Sequence, residues 1–357
     1  MAPIGSAHTA AVTGRSRFPS TRYQGSKRKL AEAIVAQVGS LDFESVLDAF
    51  GGTGSVAYAF KRAGCAVTYN DALAFNQQIG LALIENDSAQ LPEGVIAGIG
   101  TRRADRSYGD LIERTFGGIY FTEEENRWLD VAVGNIRAIR STFQRAIAWY
   151  ALFQSAMAKR PYNLFHRRNL YMRTAEVHRG FGNKATWDRG FDDHFRACAV
   201  QANDAVFDSG GRCRAICRGA LDVEPSFDLV YIDTPYINRS GVGVDYHHFY
   251  HLLEGMIRYD DWAEAIDYGS KHRRLRRRDD PWTDPRRVHE QFRRLFDHFR
   301  DSILVVSYRS DGIPSIEELR GMLLEVKRRV RVIDGPAYQY ALSTDRRNRE
   351  VLLVGAD

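Results

Sequence analysis

Cysteine is scarce, four residues in 357 with no CxxC pair. Thiols that sparse argue against a disulfide framework and for a reducing, cytoplasmic setting, with Cys65, Cys198, Cys213 and Cys217 as structural thiols. Long apolar runs are also missing. Nothing approaches the roughly 18 consecutive apolar residues of a membrane span, and the first twenty residues lack the apolar stretch of a signal peptide. A soluble protein with no membrane partner is expected. The sequence holds no internal repeat, no long low-complexity tract and no HExxH motif. His247, His248 and His251 therefore read as a loop or helix start beside an active site, and no metal is expected. Neither charge dominates: 50 Lys+Arg against 45 Asp+Glu leave +5, which permits a polyanionic partner without demanding one.

What is present is the pattern of a doubly wound α/β core. Ser45 to Phe50 is a short apolar run that stops at Gly51-Gly52-Thr53-Gly54 and gives way to helical spacing over Ser55 to Ala63. A second run, Cys65 to Tyr69, ends in Asn70-Asp71 and leads into another helix through Ile84, so 46–84 reads β-α-β-α. Strand-like runs return at Phe227 to Asp233, Ser302 to Tyr308, Val330 to Ile333 and Val351 to Val354. Between about 86 and 218 the periodicity is helical, notably over Glu123 to Ala158, which predicts a mainly helical inserted domain. The expected organisation is a disordered 1–20, a catalytic domain at 21–86 and 218–357, and an insertion at 87–217. Residues 1–20 have little to bury.

The glycine turn sits where a strand meets a helix, the ligand crevice of an open sheet. Gly52-x-Gly54-x-x-Ala57 also fits the dinucleotide fingerprint, so the loop alone leaves a nicotinamide or flavin enzyme open. Asp71, at the tip of the second strand, is placed to accept hydrogen bonds from ribose hydroxyls in either case. Asp233-Thr234-Pro235-Tyr236 is the discriminating segment. An aromatic amine is a poor nucleophile, because its lone pair is delocalised into the ring. Asp233 and the carbonyl of residue 234 can accept its two N–H bonds while Tyr236 stacks on the base. A cysteine nucleophile for methylation at carbon 5 of cytosine is normally placed after a proline, and no cysteine here follows one.

Three segments together resemble the Dam-type, alpha-class DNA adenine methyltransferases, in that family's order. Arg22 to Lys27 (RYQGSK) is similar to its N-terminal element, Leu47 to Val56 (LDAFGGTGSV) to its cofactor loop, and DTPY to its catalytic DPPY. The resemblance covers 22 to about 86 and 218 to about 240 well, the C-terminal strands loosely and the insertion hardly at all. It implies a Rossmann-like core using S-adenosylmethionine, with Tyr23 and Lys27 closing over the cofactor and Asp48, Phe50, Gly52 and Gly54 forming its loop. It further implies that Asp71 holds the ribose, that Asp222 meets the cofactor's adenine, and that Asp233, Thr234, Pro235 and Tyr236 form the catalytic tip. The insertion would be the target-recognition domain, the partner double-stranded DNA, and a cognate restriction endonuclease a further partner of an expected monomer. Thr234 replaces the family's first proline, but the acceptor there is a backbone carbonyl that Thr also carries. Cytosine-N4 methylation and an inactive DNA-binding relative stay open at this point.

Two basic stretches are candidates for DNA contact. Lys159 to Arg189 holds eight Lys/Arg interleaved with Tyr162, Phe165, Tyr171, Phe181 and Trp187, and Lys159, Arg160, Arg167, Arg168 and Lys184 are the expected phosphate contacts. Lys271 to Arg278 is denser, and is equally readable as a solvated loop balanced by Asp279 and Asp280.

Overall fold

The computed structural model describes residues 16–176, 184–337 and 349–357. Its centre is a sheet of β1 (Ser45–Asp48), β2 (Ala66–Asn70), β3 (Arg214–Ile216), β4 (Leu229–Ile232), β5 (Ile303–Arg309), β6 (Arg329–Ala337) and β7 (Arg349–Ala356). The spatial order is β3-β2-β1-β4-β5-β7-β6. The first five strands in that order pair in parallel, and β7 runs antiparallel to both β5 and β6. Strand order reverses between β1 and β4, which opens a crevice at their carboxyl ends.

The central strands are apolar on both faces because both faces are covered. Leu47, Val230, Ile232, Leu304 and Val306 pack with Phe292, Leu295 and Leu323, from the helices Val288–His298 and Ile316–Leu324. Val46, Leu229, Tyr231 and Val305 face the opposite layer, which includes Phe60 and Phe75. Each such side chain removed from water contributes roughly 1.5–3 kcal/mol, so the sheet is held at its centre and not at its rims.

The long segment between β2 and β3 is helical. A Thr122–Glu125 capping box starts the Glu123–Arg137 helix, and Ser141 caps Thr142–Ala158. The latter is buried without interruption from Ala146 to Ala158 and lies against Ala74–Gly80, with the Phe75 and Phe153 rings 5.7 Å apart. These helices share one apolar core with the sheet, including Val46, Tyr69, Trp149 and Phe195.

Arg214–Ile216, which from sequence counts with the insertion, is a strand of the central sheet, paired in parallel with Thr68–Asn70. Three residues, one of them an exposed arginine, carry too little apolar pattern to announce a strand. Residues 16–20, expected to lack order, are docked: Phe18 sits edge-on to Tyr58 at 5.2 Å and Ser20 hydrogen bonds Gln201. Residues 1–15 of that expected disordered stretch lie outside the described residues. No helix among the described residues is long and apolar enough to cross a membrane.

Candidate active site

Three parallel strands each end in an aspartate at the crevice: Asp48 closes β1, Asp71 follows β2 and Asp233 follows β4. All three line one cavity of about 290 Å³, together with the glycine turn, Tyr23 and Lys27. The turn favours glycine for two reasons, space at Gly51 and backbone conformation at Gly52 and Gly54. A Cβ on Gly51 would lie 2.1 Å from the Tyr69 ring, and Gly52 and Gly54 hold φ of 50° and 74°, where glycine is favoured. The Tyr69 hydroxyl donates to the Gly52 carbonyl at 2.7 Å and locks the loop over β2.

Asp71 accepts from the backbone N–H groups of Gly52 and Leu73, both at 2.9 Å, and burial pushes its carboxyl up to about 6. Asp48 is more extreme. Burial, with Asp233 and Asp71 adding repulsion, raises it to about 8, and its Oδ1 has no hydrogen-bond partner among the described residues. An orphaned, buried acceptor at the floor of a cavity is a place for a donor to bind.

Asp233 is fixed by Lys27. The Lys27 ammonium donates to Asp233 Oδ1 at 2.9 Å and to the Tyr236 hydroxyl, and lies 3.4 Å from Glu350 Oε1. Burial works against the cation, but the Asp233 and Glu350 carboxylates outweigh it and hold the Lys27 pKa above its usual value. Burial raises Asp233, with Glu350 adding to the rise and Lys27 opposing it. Tyr236 lies behind the tip: its ring packs edge-on against Tyr308 at 5.2 Å, and it is 5% exposed. Its hydroxyl is within hydrogen-bond distance of both Asp233 Oδ1 (2.6 Å) and Glu350 Oε1 (3.0 Å). Thr234 is buried and Pro235 lines the cavity.

The remaining expected residues fall as follows. Tyr23 stacks on Tyr250 at 4.6 Å and its hydroxyl accepts from Asn76 at 3.2 Å. Phe50 meets Trp282 edge-on at 5.1 Å. Asp222 is exposed, and the cavity wall at this point is Gly219 and Ala220 instead. Of the histidines, His247 lines the cavity, while buried His251 bonds the Tyr120 hydroxyl at 2.8 Å.

Two expected phosphate contacts are corrected. Lys159 and Arg160 are buried, 2% and 1% exposed. Lys159 pairs with Glu125 and donates to the Trp187 carbonyl, and Arg160 donates to the carbonyls of Leu164, Tyr120 and Arg167. These cations cross-link loops, and sequence cannot separate a cation spent on carbonyls from one in solvent. Arg167, Arg168 and Lys184 are exposed, Lys184 being paired with Asp188. Arg179 and Phe181 lie outside the described residues. In the second basic run Arg276, Arg277 and Arg278 are exposed, and Arg278 reaches the cavity rim. Sequence reasoning missed Glu350, Trp282 and Tyr246; a lone acid in a strand and aromatics outside any motif carry no signal.

The site thus sets a carboxylate held by a buried lysine beside a glycine turn that leaves bare backbone facing a cavity. Residues 23–282 match the D12 class of N6 adenine-specific DNA methyltransferases, and the chain belongs to that family. It is 27% identical over 328 residues to the Type II methyltransferase M2.HphI of Haemophilus parahaemolyticus, covering 90% of this chain and 92% of the relative. The modification methylases LlaI of Lactococcus lactis subsp. lactis and StsI of Streptococcus sanguinis are 25% and 26% identical over 84% and 85% of this chain. The chain spans about half the length of those two, 47% and 46%.

Proposed function

We propose that this enzyme transfers the methyl group of S-adenosylmethionine to the N6 amine of an adenine flipped from duplex DNA, at a specific sequence. The observation that carries this reading is Asp233, clamped by Lys27 and facing the same cavity as the glycine turn and Asp71. The residues fit a cationic cofactor. Asp48 and Asp71 flank the loop, and the orphaned Asp48 Oδ1 suits an ammonium, whereas the pyrophosphate of a dinucleotide would meet two carboxylates. S-adenosylmethionine supplies an electrophilic methyl on a sulfonium when bound. Asp71 takes the ribose hydroxyls, Tyr23 and Phe50 supply apolar walls, and Gly52 and Gly54 allow the close approach.

Asp233 and the carbonyl of Thr234 accept the N–H bonds of the adenine amine, so that its lone pair is drawn out of the ring as the methyl arrives. Tyr236, tied by its hydroxyl, orients Asp233. The DNA side is the helical segment between β2 and β3, where Arg167, Arg168, Tyr162 and Tyr171 are exposed and Arg22 hydrogen bonds Asn163. The three relatives are methyltransferases or modification methylases by name, which supports a role in restriction–modification beside a cognate endonuclease.

The test is tritiated methyl incorporation into mixed-sequence duplex DNA, followed by nucleoside analysis. N6-methyladenine is expected, and N4-methylcytosine would redirect the reading. Asp233→Ala should lower turnover at least about a thousandfold with cofactor affinity nearly unchanged; turnover equal to the parent's would remove Asp233 from the chemistry.

A further inference from the structure

The catalytic tip rests on a residue from the far side of the sheet. Glu350 is the second residue of β7, opposite Arg309 of β5 in the antiparallel register, and its carboxylate is buried. Its Oε1 accepts from Ser307 Oγ at 2.5 Å, lies 3.0 Å from the Tyr236 hydroxyl and 3.4 Å from the Lys27 ammonium. Lys27 has three N–H donors, and Asp233, Tyr236 and Glu350 stand around it. Among the described residues the hydrogen bonds to Asp233 fall on Oδ1.

A buried carboxylate is expensive, and a second one beside Asp233 adds repulsion, so packing alone does not account for it. A Lys–Asp pair on its own would be neutral and free to swing. A third anchor on a different strand converts it into a triangulated cluster. We propose that Glu350 is a positioning residue for methyl transfer: through Lys27, which bonds both carboxylates, and by competing for the single Tyr236 hydroxyl proton, it holds Asp233 Oδ1, so that Oδ2 remains the acceptor aimed at the adenine amine. The assignment rests on the reading of Asp233 given above. Glu350 is not among the residues that line the cavity. It lets one lysine serve two carboxylates, which keeps the site anionic where the amine must lose positive charge.

The test compares the parent with Glu350→Gln, Glu350→Asp and Ser307→Ala by kcat and KM on mixed-sequence duplex DNA across about pH 5.5 to 10, with calorimetry of S-adenosylmethionine binding as the check of fold. Glu350→Gln keeps size and an acceptor for Ser307 but no charge. Its kcat is expected to fall about 10- to 100-fold with the cofactor KM within about threefold. Both limbs of its kcat profile should move to lower pH, since Asp233 loses a like-charged neighbour and Lys27 loses one of its two counter-charges. The other groups facing Asp233, namely Asp48, Tyr231, Tyr236 and Tyr246, are unchanged in this variant.

Glu350→Asp, which restores the charge, should return the limbs to their parental places and kcat to within about tenfold of the parent. A loss of packing would not move the limbs. Ser307→Ala keeps the test alive should Glu350→Gln not fold. It is expected to lower kcat about threefold to tenfold at unchanged cofactor affinity. Parental kcat with unmoved limbs in Glu350→Gln, or parental kcat in Ser307→Ala where Glu350→Gln does not fold, overturns the assignment. Asp233→Asn at parental turnover with Glu350→Gln impaired would sink the acceptor reading instead, leaving the hold of Glu350 on Lys27 standing.

Discussion

Asp48 shows what a binding site costs before anything binds. Its carboxyl is raised to about 8 by burial and by Asp233 and Asp71, with the Phe50 and Ala57 N–H groups giving partial relief. The folded state therefore holds a proton that the unfolded chain releases near its ordinary value of 3.8, so stability falls as pH rises from about 4 through about 8. Asp48→Asn should stabilise the protein by about 1–2 kcal/mol at pH 8, with the gain fading toward pH 4, at the expense of cofactor affinity. Melting curves across that range check it, and a pH-independent difference would contradict it. A cationic ligand should expel the proton, so calorimetry in buffers of different ionisation enthalpy should record proton release below pH 8. Asp48, Asp71, Asp233 and Lys27 were legible in sequence because each adjoins a strand end or a motif. Glu350 was not, since nothing in Arg349-Glu350-Val351 says which strand it faces.

The glycine turn is the element whose geometry was most legible, because a strand stopping at three glycines in four residues leaves few alternatives. Its rigidity was not legible, since it depends on Tyr69 from the neighbouring strand. Gly51→Ala would drive a methyl into that ring at 2.1 Å and displace either the loop or β2. A loss of about 2–3 kcal/mol in stability is expected, with S-adenosylmethionine affinity falling at least tenfold, read by denaturant unfolding and calorimetry. Affinity at the parental level would mean that the loop does not carry the cofactor. β3 escaped the sequence reading for the opposite reason. It is a strand by virtue of its place beside Thr68–Asn70, and local pattern says almost nothing about it.

For the molecule as a whole, the interleaved basic and aromatic segment mixes two populations that composition cannot separate. Replacing Arg167 and Arg168 by glutamine should reduce the log–log salt slope of DNA binding by about 0.9 for each phosphate no longer neutralised, with the melting temperature unchanged. Arg160→Met should instead destabilise the fold by about 2–4 kcal/mol, because the Leu164 and Arg167 carbonyls lose their donor and the Tyr120 carbonyl is left to Arg173. A melting temperature unmoved by Arg160→Met, or an unaltered salt slope in the double glutamine variant, would reassign those cations. The continuous core under the Thr142–Ala158 helix is hidden from sequence for a related reason, since packing between distant segments leaves no trace in local periodicity. The placement of β7 has a consequence in time. It follows β6 in the chain but lies between β5 and β6 in the sheet, so β5 must emerge from the ribosome and wait with an open edge until Arg349–Ala356 has been made. Glu350 arrives on that same strand. A nascent chain can therefore assemble its glycine turn and strand-end aspartates early, yet it lacks the anchor of its chemistry until the sheet is closed, which ties the onset of activity to the completion of folding.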